Sequence, residues 1–156
     1  MKKTLLLLCI ILLSACTNKT DEEKEVTAPM EKTNQVLLKA SAEESIDQAI
    51  LKLTIHNDTD RKKIFTFQTG QTYELTVLDS EGKEMYKYSK GKMFTQAIRE
   101  LALQPGEKKV YQEVWGYDQQ GQKASPGEYK VIAVFLGKEK GGEPLTAEGT
   151  LEIPES

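Results

Sequence analysis

Cysteine is almost missing from this chain. There are two among 156 residues, Cys9 and Cys16, and none from residue 17 onward. A disulfide framework within the body of the protein is therefore excluded, and stability must come from a hydrophobic core alone. Histidine occurs once, as His56. It sits at a strand end among turn residues, and nothing near it in sequence suggests a base held beside a nucleophile and an acid, so a Ser-His-Asp type of triad has no support. No excess of basic charge exists either: 21 Lys and Arg face 24 Asp and Glu, for a formal net charge of −3. A mildly acidic chain is a poor match for nucleic acid. The one long apolar run, Leu5 to Leu13, falls well short of the roughly 20 residues that span a bilayer as a helix.

What that run does fit is a signal peptide. Lys2-Lys3 precede it and Ser14-Ala15 follow, giving a basic start, a short apolar core and small residues before a cut. Ordinary cleavage favours small residues at −1 and −3. A cut after Ala15 would place Leu13 at −3, a poor match. Leu13-Ser14-Ala15-Cys16 instead resembles the lipobox of bacterial lipoproteins, where the cysteine is acylated and the chain is cut before it. Cys9, inside the apolar run, is removed with the signal. The resemblance implies lipidation at Cys16 and anchoring in the lipid bilayer at the extracytoplasmic face of the cell membrane. Two acyl chains make such anchoring durable.

The expected organisation is a signal peptide over 1–15, a lipidated N-terminus and charged tether over 16–33, and one domain over 34–156. Thr17 to Thr33 is rich in Lys, Asp and Glu and nearly devoid of apolar residues. Such a segment cannot bury enough surface to offset its ordering entropy. As a flexible coil it would span about 23 Å root-mean-square.

From Val36 the pattern has period two. Ala49, Leu51, Leu53 and Ile55 alternate with Lys52, Thr54 and His56, which gives a strand one apolar face. Tyr73, Leu75 and Val77 repeat the pattern. Tyr129, Val131, Ala133 and Phe135 alternate with Lys130, Ile132 and Val134; apolar residues on both faces predict a central strand. Leu145 to Ile153 forms the last strand, with Glu148 and Glu152 facing out. Turn signals separate these runs at Asn57-Asp58-Thr59-Asp60, Asp79-Ser80-Glu81-Gly82, Gln104-Pro105-Gly106-Glu107, Pro126-Gly127 and Gly141-Gly142-Glu143-Pro144. Phe94 to Leu103 is ambiguous. Ala97 to Ala102 has helical propensity, whereas the β setting favours strand or irregular structure. Asp118 to Ser125 reads as a polar loop. The expectation is an all-β, immunoglobulin-like antiparallel β-sandwich of about eight or nine short strands, with no disulfide.

Several motifs together resemble a known family. They are Phe67-Gln68-Thr69-Gly70-Gln71-Thr72-Tyr73-Glu74-Leu75, Asp79-Ser80-Glu81-Gly82, Phe94-Thr95-Gln96-Ala97, Leu103-Gln104-Pro105-Gly106-Glu107, Trp115, and Pro126-Gly127-Glu128-Tyr129-Lys130-Val131. Their order and spacing, from Asn57 to Leu136, are similar to those of the BsuPI domain, the intracellular proteinase inhibitor family of bacilli. The resemblance implies an immunoglobulin-like fold and binding to a serine protease of the subtilisin type. It places no reactive-site residue, so the reactive-site loop is unknown at this stage.

The functional expectation is a membrane-anchored extracytoplasmic lipoprotein that inhibits or binds a protease. The alternative is a non-inhibitory cell-surface module, an accessory subunit bound to another envelope protein. No enzyme, cofactor or metal is expected. Asn57 to Asp60 lacks the glycine and distal glutamate of an EF-hand loop, and Arg61-Lys62-Lys63 would repel a cation. Trp115 is read as core and Tyr129 as a tyrosine tied to backbone. Lys83, Lys87, Lys90 and Lys92 are read as a solvated hairpin face. Lys90-Gly91-Lys92-Met93 and Asp118 to Ser125 are the candidate binding loops, on length and polarity alone.

Overall fold

The structure is a computed structural model that describes residues 33–119 and 122–155. Cys16 and the charged tether up to residue 32 lie outside the described residues. The strands are β1 (Val36–Ser45), β2 (Gln48–Asn57), β3 (Lys63–Phe67), β4 (Tyr73–Leu78), β5 (Glu84–Lys87), β6 (Arg99–Leu103), β7 (Lys108–Trp115), β8 (Asp118–Gln119), β9 (Gln122–Lys123), β10 (Gly127–Phe135) and β11 (Leu145–Ile153). Nine of these have four or more residues, and β8 and β9 have two each. Neighbouring strands pair antiparallel throughout.

Two sheets form the layers of the sandwich. One has the order β1-β2-β7 and the other β11-β10-β4-β5, while β3 pairs with β6 and β8 with β9. The alternation that predicts each strand also sorts its faces. Ala49, Leu51, Leu53 and Ile55 of β2 are fully buried, as are Val131, Ala133 and Phe135 of β10 and Leu75 and Val77 of β4. These inner faces, with Phe65, Phe67, Leu103 and Trp115, make one continuous core. β10 lies between β4 and β11, the central position that its two apolar faces indicate. The arrangement is a sandwich compatible with an immunoglobulin-like layout.

The two sheets approach closely along one side. A Cβ on Gly149 of β11 would lie 2.8 Å from the carbonyl oxygen of Ala40 in β1. Glycine is required there because the obstacle is backbone, which has no rotamer to change.

The turns follow their residues. Pro105 and Gly106 occupy the central positions of a turn in which Glu107 N–H donates to Gln104 C=O at 3.0 Å, with Gly106 at φ 76°, as a type II turn requires. That turn docks on the end of β2. Gly106 N–H donates to Asn57 C=O at 2.7 Å, and Asn57 N–H donates to Glu107 C=O at 2.9 Å. Asp79 caps its own hairpin by accepting from Glu81 N–H at 3.0 Å and Lys83 N–H at 2.8 Å.

The ambiguous stretch divides in two. Residues 92–98 run without regular structure and Arg99–Leu103 is strand. Pairing decides against helix, because Leu101 stands opposite Phe65 and Leu103 is fully buried. Local propensity gives way to this tertiary packing. One expectation is corrected: Asp118 to Ser125 is not simply a polar loop, since β8 and β9 pair within it as a small hairpin. Tyr117, at φ 58°, turns the chain out of β7, and Ala124 N–H closes the excursion on Tyr117 C=O at 2.7 Å.

Candidate functional site

Within the described sheet pairing, β7 ends one sheet and β5 ends the other. The chain from Ser89 to Ile98 leaves β5; Lys90 pairs with Glu84 of β5, Lys92 with Glu113 of β7, and Phe94 meets Tyr88. The platform beneath is aromatic. Tyr73 of β4 stacks on Tyr88 with ring centroids 4.4 Å apart, and Tyr111 of β7 lies 4.7 Å from Tyr73. The Tyr73 hydroxyl donates to Glu113 of β7. Burial, followed by the bond to Glu113, pushes the Tyr73 hydroxyl well above the usual phenol range, so it stays a proton donor at any physiological pH.

The loop is fastened to this platform from both sides. Lys92 Nζ lies 3.5 Å from the Tyr88 ring centroid and 3.6 Å from Glu113 Oε2. A cation over an aromatic face gains from the ring quadrupole, and the carboxylate adds a charge partner. Phe94 approaches Tyr88 with ring centroids 6.0 Å apart. Further on, Thr95 C=O accepts from Gly70 N–H at 2.8 Å. A Cβ on Gly70 would lie 2.6 Å from Thr95 Oγ1, so this glycine permits the close approach. At the loop's start, Ser89 N–H donates to Glu74 Oε1 at 3.1 Å. Met93 stands between the anchors at 99% exposure, and Ile98 is 69% exposed.

The structure therefore separates the two loops proposed from sequence. Lys90 to Met93 belongs to an exposed, fastened segment that extends to Ile98. Asp118 to Ser125 is the β8–β9 hairpin. Three of the four lysines read as a solvated face carry carboxylate partners. Lys87 and Lys90 reach Glu84 at 3.9 and 3.4 Å, and Lys92 reaches Glu113. Glu84 lies within the same stretch as the lysines, whereas Glu113 comes from β7, a partner that the sequence order does not reveal.

Trp115 is 1% exposed, edge-on to Tyr117 and Tyr129 at 5.3 and 5.8 Å. It is a core residue, as expected. Tyr129 ties its hydroxyl to backbone, donating to Ser125 C=O at 2.7 Å and accepting from Ser125 N–H at 3.0 Å. His56 lies on the outer face of the β1-β2-β7 sheet, in register with Leu37 and Lys108. Among the described residues no cluster of His, Cys, Asp or Glu could hold a metal ion, and no helix is long and apolar enough to cross a membrane.

Asn57 goes beyond its reading as a plain turn residue. It is fully buried, and its Nδ2 donates to the carbonyls of Arg61, Leu103 and Gln104 at 2.7, 2.9 and 3.1 Å. Its Oδ1 accepts from Thr59 Oγ1 at 2.7 Å and Thr59 N–H at 3.2 Å. Sequence gave no warning of this, because a polar cluster after a strand reads as solvent-facing.

No curated relative matches the chain. Solved structures that resemble it include the sporulation control protein Spo0M from Bacillus subtilis, at 10% identity and a TM-score of 0.42, covering 78% of this chain and 50% of that one. A β-glucuronidase from Bacteroides uniformis follows at 15% identity and a TM-score of 0.39, covering 74% of this chain and 13% of that one. The chain thus spans half or less of these proteins, and likeness at this level carries no argument about function. The pattern of the BsuPI family, described as intracellular proteinase inhibitor, matches residues 36–140. That match contains every strand from β1 to β10 and the whole fastened loop, so this chain belongs to the BsuPI family of proteinase inhibitors.

Proposed function

We propose that this protein is a proteinase inhibitor held at the outer face of the cell membrane by a lipid on Cys16. The family match over residues 36–140 is the observation that carries the inhibitory part. A rigid sandwich with a fastened, exposed segment supports it physically, because binding then orders little that is not already ordered. The anchor rests on the lipobox-like Leu13-Ser14-Ala15-Cys16 and the signal-like run before it. The family's description is of an intracellular inhibitor; an exported member would meet proteases outside the cytoplasm, within reach of its tether.

Two measurements address the two parts. The full chain, titrated against subtilisin, is expected to slow peptide hydrolysis at micromolar concentration. Unchanged hydrolysis would count against inhibition and leave a non-inhibitory surface module. In cells, Cys16→Ser is expected to move the protein from the detergent phase to the aqueous phase on partition. Retention in the detergent phase would remove the lipid anchor from the account.

A further inference from the structure

We infer that Lys92 to Ile98 is the protease-contacting segment, and that Met93 is the side chain that enters the enzyme's primary specificity pocket. The partner is a serine protease whose primary pocket is apolar. This inference rests on the inhibitory reading above.

Proteases take their substrates as extended, accessible chain, and residues 92–98 are irregular and largely exposed. Among the described residues Met93 is the most exposed of the large apolar side chains, at 99%. An unbranched thioether loses water-exposed apolar area on entering an apolar pocket and adapts to its shape. It sits between two anchors. Lys92 is held on Tyr88 and Glu113 before it, and Phe94 and Thr95 are held on Tyr88 and Gly70 after it. Such fastening removes most of the ordering cost of binding.

Charge selects the apolar class of pocket. The two lysines nearest Met93 are already engaged, Lys90 with Glu84 at 3.4 Å and Lys92 with Glu113 at 3.6 Å. A protease that reads a basic side chain would have to break one of these pairs and, for Lys92, its contact with the Tyr88 ring. Met93 enters a pocket without breaking anything. Ile46 is nearly as exposed, at 89%, but it sits in the tight turn joining β1 to β2, which cannot lie extended in a cleft.

The test compares inhibition constants of the full chain and its Met93 variants against subtilisin, with an apolar pocket, and trypsin, with a carboxylate in its pocket. Subtilisin inhibition by the native chain is expected to fall by at least about 100-fold in Met93→Asp and to stay within about tenfold in Met93→Leu. Met93→Lys is expected to lose subtilisin and gain trypsin. Because the side chain is in water, thermal unfolding of the variants should match the native chain, which separates binding from folding. Equal inhibition by native chain and Met93→Asp would overturn the assignment of this segment while leaving proteinase inhibition standing. No inhibition by the native chain would remove the functional reading, and this inference with it.

Discussion

Asn57→Ala isolates the most densely bonded polar side chain of the core. Five polar contacts converge on it: the two N–H of Nδ2 are shared among three carbonyls, and Oδ1 accepts from two donors. They are not equally costly to lose. Arg61 C=O keeps Thr59 Oγ1 as a donor at 3.0 Å, and Gln104 C=O keeps Glu107 N–H at 3.0 Å. Leu103 C=O loses a donor at a fully buried position, and Thr59 N–H loses its acceptor in a residue only 6% exposed. At about 1–3 kcal/mol for each group left unsatisfied, with smaller losses for the rest, the substitution should cost about 3–4 kcal/mol. That is a large share of an ordinary domain's 5–15 kcal/mol, that being the usual order of magnitude for stability. Urea unfolding followed by Trp115 fluorescence would measure it, and a loss below about 1 kcal/mol would refute the reasoning. Asn57→Asp adds a check on sign. Three carbonyl oxygens face the position where the amide nitrogen stood, so they favour the protonated acid and raise its pKa in the folded state above the unfolded value near 3.9. Stability is then fullest below about pH 4 and falls as pH rises, by up to about 1.4 kcal/mol per unit. The variant should be distinctly less stable at pH 7.5 than at pH 4.5 relative to the native chain at each pH.

Trp115→Ala should cost about 3–5 kcal/mol, since the ring is buried between Tyr86, Tyr117 and Tyr129. Trp115→Phe should cost less than half as much, because Trp115 Nε1 has no hydrogen-bond acceptor among the described residues; both variants lack the only tryptophan, so their urea unfolding is followed by far-ultraviolet circular dichroism. Gly149→Ala should destabilise by about 1–3 kcal/mol, its Cβ meeting the Ala40 carbonyl. Gly116→Ala, where a Cβ would meet nothing within 4 Å, should be neutral or stabilise by up to about 1 kcal/mol; equal melting temperatures for the two variants would contradict the close sheet contact. Alkali should unfold the domain. Burial raises the hydroxyls of Tyr73, Tyr86, Tyr111 and Tyr117 above the usual phenol range. Their contribution is therefore complete below about pH 10 and lost above it. Denaturant midpoints that stay flat from pH 9 to 11.5 would contradict this.

The fold was legible where side chains announce a face. β2 and β4 largely alternate apolar and polar residues and bury the apolar set, and β10, apolar on both faces, takes the central place between β4 and β11. Pro105-Gly106 and Asp79-Gly82 were legible because their turns depend on local chemistry. Partnership between distant segments was not. Nothing local in Arg99–Leu103 says that it will pair with Lys63–Phe67, so its helical propensity stood unopposed in the sequence. The loop's anchors were hidden for the same reason. Gly70 and Tyr73, Tyr88 and Lys92, and Glu113 lie on three separate stretches, and only the fold brings them together. Length and polarity of Lys90 to Met93 were the one available signal; the exposure of Met93 and the fastening on either side come from the fold.

The most direct test of the central claim is a stoichiometric titration of active-site-quantified subtilisin with the full chain, reading residual hydrolysis of a small peptide substrate. The expected result is a falling curve that closes near one inhibitor per enzyme, with the chain recovered intact from the complex. Full residual activity at a large excess of the chain, or its rapid degradation as an ordinary substrate, would contradict it.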